Sequence, residues 1–208
     1  MNSTRTIVAL LLGVAAMTAC SSGPSAPVDQ RPYEERLQEA RARKDQAFRA
    51  LDNQYSPVPV ASRASFPGVA YFRIDPKFRV PASLTTARVN PPVVIAITNS
   101  AHELEQKVKV GSLTFSLAGV PYTLSAFAEN EGDVQRLWVP FRDLTSGVST
   151  YGGGRYLDLE RTPTGLYDLD FNAAYHPNCV YDTSWVCPYP PAENRLPMAI
   201  EAGERLRQ

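Results

Sequence analysis

QKVKVGSLTFSLAGVPYTLSAF, residues 106–127, decides the fold. On either side of Ala118-Gly119 its apolar residues recur at every second position, the period of a strand with one buried face and not the 3.6 of a helix. Gly119 takes a positive φ at little cost, so Ala118-Gly119 is a tight turn. The two halves are therefore antiparallel strands of a hairpin, with Leu117 facing Val120.

The same period of two runs outward from this hairpin. GVAYFRID, KFRVPASL and PVVIAIT before it, and RLWVPF, RYLDLE and LYDLDF after it, are strand-length segments bounded by Pro, Gly and Asn. No repeat of fixed period connects them, which disfavours a propeller or solenoid. The expectation is a mainly β domain over 56–208, an antiparallel sandwich or partly open barrel. Ahead of it, residues 33–55 lack Gly and Pro and place Tyr33, Leu37, Ala40, Ala47, Phe48 and Leu51 near one face. Glu39/Arg43 and Asp45/Arg49 stand at the favourable four-residue spacing, worth about 0.2–0.5 kcal/mol each. That predicts one N-terminal amphipathic helix, docked through its Phe48 and Leu51 end.

Residues 20–32 are small, polar and Pro-rich, the composition of a flexible tether. Residues 1–19 carry one cation, Arg5, and then a short apolar run, the pattern of a secretory signal. The run is too short for a spanning helix. MTAC resembles the bacterial lipobox, in which cleavage precedes a cysteine that is then acylated. The resemblance makes Cys20 a lipidation site and the membrane a partner through that anchor. Ser21 is not the aspartate that retains Gram-negative lipoproteins in the inner membrane. The expected address is therefore the cell envelope, on the outer membrane facing the periplasm.

The 208 residues hold 21 basic and 21 acidic side chains, so no net field attracts nucleic acid. Once Cys20 carries lipid, Cys179 and Cys187 remain in an oxidising compartment, where the first expectation is a disulfide. Such a bond contributes roughly 2–3 kcal/mol in the chain-entropy model and fixes Tyr181 and Trp185. A metal site on His176, Cys179 and Cys187 is the weaker alternative, since the spacing matches no common zinc motif; two free thiols are the third. No metal or cofactor is expected.

Several phrases occur together that resemble one family: ARARKDQAFRALDNQYSPVP, FPGVAYFRIDPKFRVPA, VGSLTFSLAGVPYTL, VPFRDLTSGVSTYGGGRYLDLE, LDFNAAYHPNC and CPYPPAENRLPMAIEAGER. Over residues 40–205 the chain is similar to the bacterial lipoprotein family of domain of unknown function 1684. That resemblance implies no activity, cofactor or catalytic residue. His176 stands where many relatives are expected to carry asparagine.

Candidate site residues come from the aromatic, glycine-rich and proline-rich segments. A binding surface between TYGGGRY and NRLP would use Tyr151, Tyr156, Tyr175, Tyr181 and Trp185 as flat contact area and Arg155, Asn194 and Arg195 as polar contacts. The bland reading ties the same residues into the fold: the glycines make a turn, Arg155 pairs with Asp143, Asn194 caps backbone groups, and Arg195 pairs with Asp170 or Glu193. A hydrolase or lyase acting on envelope material would use Asp170 and Glu193 as paired carboxylates, with His176 assisting. Asp168 and Glu204 are lesser acid candidates. The favoured reading is a binding or structural β-domain for a small molecule, glycan or protein.

Overall fold

The computed structural model describes residues 29–86, 93–130 and 132–207. The signal segment, Cys20 and most of the tether lie outside the described residues. The chain divides into two units, Met1–Arg31 and Pro32–Gln208. Of the first, 29–31 are described, where Arg31 closes on Asp29 at 2.7 Å.

Alternation produces β1 (Ala70–Tyr71), β2 (Arg79–Thr86), β3 (Val93–Thr98), β4 (Leu104–Leu117), β5 (Val120–Ala128), β6 (Arg136–Phe141), β7 (Arg155–Glu160), β8 (Tyr167–Asp170) and β9 (Glu204–Arg205). β1 and β9 pair by themselves, and the other seven form one antiparallel sheet in the order β7-β6-β5-β4-β2-β8. β4 is long enough, at 14 residues, to serve two partners on one edge. Its first half pairs with β3, placing Val94 opposite Val108, and its second half with β2, placing Leu84 opposite Leu113. The Arg161↔Tyr167 bridge brings the two ends of the strand path together. The result is a mainly β, nearly closed, barrel-like sheet with one main helix.

Residues at every second position fill its interior. Leu113, Phe115 and Leu117 of β4, Leu124 and Ala126 of β5, Leu137 and Val139 of β6, and Leu157 and Leu159 of β7 are all buried in one cluster. Each large side chain of this kind contributes about 1.5–3 kcal/mol by leaving water. The predicted hairpin forms: Leu117 pairs with Val120, and Ala118 and Gly119 have φ of 50° and 80°. Two successive positive φ values give the turn that matches strand twist.

α1 runs from Tyr33 to Arg49, six residues short of the predicted end. Side chains from the following segment donate to carbonyls at and just past its C-terminus and stop it. Asn53 donates to Ala47 O, Ser56 to Phe48 O, and buried Arg63 to Ala50 O and Leu51 O. No residue of α1 is fully buried, and its attachment is largely polar. The Tyr33 hydroxyl donates to Asp170, Arg41 to Asn172 O, Lys44 meets Glu204 at 2.5 Å, and Asp45 accepts from Val69 N. Phe48 adds an edge-on ring contact with Tyr181. Leu51, expected to dock beside it, is 69% exposed because the helix has already ended. Of the two helical ion pairs, Glu39–Arg43 forms at 2.8 Å, whereas Asp45 and Arg49 turn instead to the backbone of Val69 and Phe66.

Candidate functional site

A groove of about 680 Å³ opens on the outer wall of the barrel. Its floor arises from the positions between the core residues. Trp138 lies between inward Leu137 and Val139, and Tyr156 and Asp158 lie on either side of Leu157, so these three side chains point away from the core. Strand pairing sets Phe127 beside Trp138 and Trp138 opposite Asp158. The far wall is the segment from Tyr175 to Pro188, including Trp185, Val186 and Cys187.

That wall is held by backbone and hydroxyl contacts. Tyr175 and Tyr156 exchange N–H···O bonds of 2.9 and 3.0 Å, the Tyr156 hydroxyl donates to Pro188 O, and Ser100 N donates to Cys187 O. Rings stand edge to face along the floor: Trp138 to Tyr156 at 5.0 Å and 73°, Tyr156 to Tyr175 at 5.7 Å and 89°. The Tyr175 hydroxyl donates to Asp158 Oδ2 at 2.8 Å. Asp158 remains reachable from solvent, yet the walls screen its carboxylate and raise its pKa, outweighing the lowering by the Tyr175 hydroxyl and Lys44.

The residues proposed from sequence fall in different places. Tyr156 and Trp185 line the groove, with Tyr175. Arg155, at 1% exposure, is structural: its guanidinium reaches Asp143 Oδ2 at 2.7 Å, Ile200 O, Glu204 O and Ala202 O, stapling the C-terminal segment to β7. Asn194 is likewise fully buried, satisfying Ser125 N, Ser125 O and Pro140 O. Neither is available to a ligand. Arg195 projects outward because its neighbours Asn194 and Leu196 point in, and among the described residues no carboxylate pairs with it. The expected Arg195 ion pair is thereby corrected. Tyr151 lies behind the groove, its N–H donating to His176 Nε2 and its ring beside Cys179. Tyr181 is on the helix side, against Phe48 and Glu204.

The glycine run is a turn, as the bland reading had it. Gly154 has φ +97°, and a Cβ there would stand 2.7 Å from Phe141 O and from Pro190 Cγ. Asp170 and Glu193 are each engaged by their own neighbours. Asp170 accepts from Tyr33 and Asn172, Glu193 from Ser125 with Lys109 at 3.4 Å, and the two share no partner. Asp168 is taken by Arg79.

Cys179 and Cys187 are both free thiols in the structure, in place of the expected disulfide. They are adjacent, with Cys187 Sγ accepting from Cys179 N at 3.1 Å. Burial pushes the Cys187 thiol up to about 12. Among the described residues no group of three or more His, Cys, Asp or Glu side chains is placed to hold a metal.

His176 is 3% exposed and neutral: Nε2 accepts from Tyr151 N, leaving the proton on Nδ1, 3.7 Å from Glu204 Oε2. Burial, then the positive charges of Arg155 and Lys44, hold its pKa down at about 3. The unfolded chain takes up this proton below about 6.5 and the native chain does not. Stability is therefore complete above pH 6.5 and is lost as pH falls from 6.5 towards 3, by up to about 1.4 kcal/mol per pH unit. His176→Asn should flatten that slope. Urea titrations at pH 7, 5 and 4 check it, and an unchanged slope in the variant would refute the assignment.

Fold and groove together define a helix-strapped β-barrel domain with an aromatic cleft on its outer surface. A family model described as "Protein of unknown function (DUF1684)" matches residues 64–205, and the chain belongs to that family. It is also similar to an uncharacterized protein of Haloarcula marismortui solved by solution NMR, at 37% identity and a TM-score of 0.63. The match covers 84% of this chain and 94% of that one. No curated protein matches.

The central groove residues missed by sequence reading are Trp138 and Asp158. Their signal was present: a tryptophan and a carboxylate on the outward positions of RLWVPF and RYLDLE. What was not readable was the pairing that sets them opposite each other.

Proposed function

We propose that this protein is a binding domain of the cell envelope, anchored by lipid on Cys20 in the outer membrane and facing the periplasm, whose aromatic groove takes a small molecule, a glycan or a segment of a partner protein. The groove carries the binding half of this reading: five aromatic residues with two reachable carboxylates, Asp158 and Glu129, in a volume of the size that encloses small organic ligands. The MTAC segment and the tether composition support the address. The binding reading is preferred to the hydrolase reading because Asp170, Glu193 and His176 each hold a structural hydrogen bond to a different partner.

Two measurements test the halves separately. Cys20→Ala should move the protein from the membrane to the soluble fraction with its melting unchanged; retention in the membrane would refute the anchor. In a thermal-shift panel of organic cations, neutral oligosaccharides and organic acids, one class should raise the melting temperature. A ligand at about 100 times its Kd stabilises by about 2.7 kcal/mol, or about 5–10 °C for a chain of this size. The shift should shrink in Trp185→Ala. A panel without response, or a response untouched by that change, would refute the groove.

A further inference from the structure

Every group facing the groove bears on the charge of its occupant. Lys107 is the basic residue of the lining, and its ammonium is neutralised by Glu105 at 2.5 Å. Lys44 lies 5.0 Å over the Tyr175 ring, but it belongs to buried Glu204. Glu129 and Asp158 remain. Among the described residues no cation forms an ion pair with Asp158; its contact is the Tyr175 hydroxyl. Lys44 acts on Asp158 only from a distance, and a carboxylate partly withdrawn from water without a direct ion pair can take another cation.

The rings around it supply the same preference. An aromatic face is negative and its edge positive. Trp138, Tyr156 and Tyr175 stand at 73° and 89° to their neighbours, with Trp185 on the rim. Lys107 Nζ, 5.7 Å from the Trp138 centroid, already places an ammonium against one of these faces. An anionic ligand would meet Asp158 and Glu129 without a free basic group. A neutral sugar would stack on the rings but leave the Asp158 charge uncompensated.

We infer that the groove binds an organic cation, a quaternary ammonium with an apolar body, its charge set against Asp158 and the aromatic lining around Trp138. This rests on the groove being the binding site proposed above. Rings and carboxylate act together: the rings attract a poorly hydrated cation, and Asp158 fixes where its charge sits.

Choline and its neutral isostere 3,3-dimethylbutan-1-ol separate charge from shape. Titrated into the full domain at low salt and followed by tryptophan fluorescence and calorimetry, choline should saturate, with the isostere at least about tenfold weaker. Asp158→Asn should weaken choline by about tenfold or more without altering the melting temperature, since the residue is solvent-reachable. Equal binding of both probes, lost in Trp185→Ala, would overturn the cation inference and leave the groove standing. Choline binding that Asp158→Asn does not change would also overturn it, by placing the cation elsewhere. If neither probe binds while an oligosaccharide does in a Trp185-dependent way, the inference fails and the binding reading survives; if nothing binds, both fail.

Discussion

Arg155→Ala should lower the melting temperature by about 6–20 °C. The arginine and Asp143 are both almost fully removed from water, 2.7 Å apart. Breaking a buried pair from one side costs about 3–5 kcal/mol because the surviving charge is stranded; a chain of this size loses about 2–4 °C per kcal/mol. The carbonyls of Ile200, Ala202 and Glu204 lose their donor in the same step. Arg155→Lys should recover only part of the loss, since a point ammonium cannot span a carboxylate and three carbonyls as the planar fork does. Removing Asp143 and Arg155 together should cost less than the two single changes added. Thermal melts of the four variants and the wild type decide it, and an Arg155→Ala domain melting within a degree or two of wild type would refute the staple.

The second large effect centres on Glu204, 1% exposed at the start of β9. Its Oε2 accepts from His176 N at 2.7 Å and the Tyr181 hydroxyl at 3.0 Å, while Oε1 holds Lys44 of the helix. Glu204→Ala strands two screened donors at about 1–3 kcal/mol each, a total of about 2–6 kcal/mol. Lys44 can turn to water and adds little. Because α1 buries no residue completely, loss of this anchor should loosen the helix before the barrel. Limited proteolysis should therefore cut within 33–49 in the variant under conditions where wild type is intact. Glu204→Gln, which keeps an acceptor, should fall between the two. Unaltered protection of the helix in Glu204→Ala would contradict this picture.

Much of the barrel was legible because its information is local. Alternation in Leu113, Phe115 and Leu117 names a strand and its inner face at once, and Ala118-Gly119 names the turn. The GVAYFRID segment misled: only Ala70–Tyr71 is strand, because its partner is the two-residue β9. The site was less legible because its residues meet across strands. Nothing near Trp138 in the chain announces Asp158, since their opposition is a matter of register. Arg155 and Asn194 were open to the ligand reading for a related reason. A polar side chain in an aromatic or proline-rich segment looks available until its acceptors are located, and those lie 45–49 residues away for the Arg155 carbonyl contacts and 54–69 for Asn194. Leu51 shows the converse, an apolar residue left outside because the helix stopped beneath it.

The C-terminal location of Glu204 has a consequence in time. Lys44 and Glu204 are 160 residues apart, and a chain is made from its N-terminus at about 5–20 residues per second. The helix therefore emerges roughly 8–30 s before the carboxylate that secures it. During that interval Arg155, once made, also waits for the carbonyls of Ile200, Ala202 and Glu204. Nascent chains that have not reached residue 200 are thus denied their final closure, so the last few residues made decide when the whole domain locks.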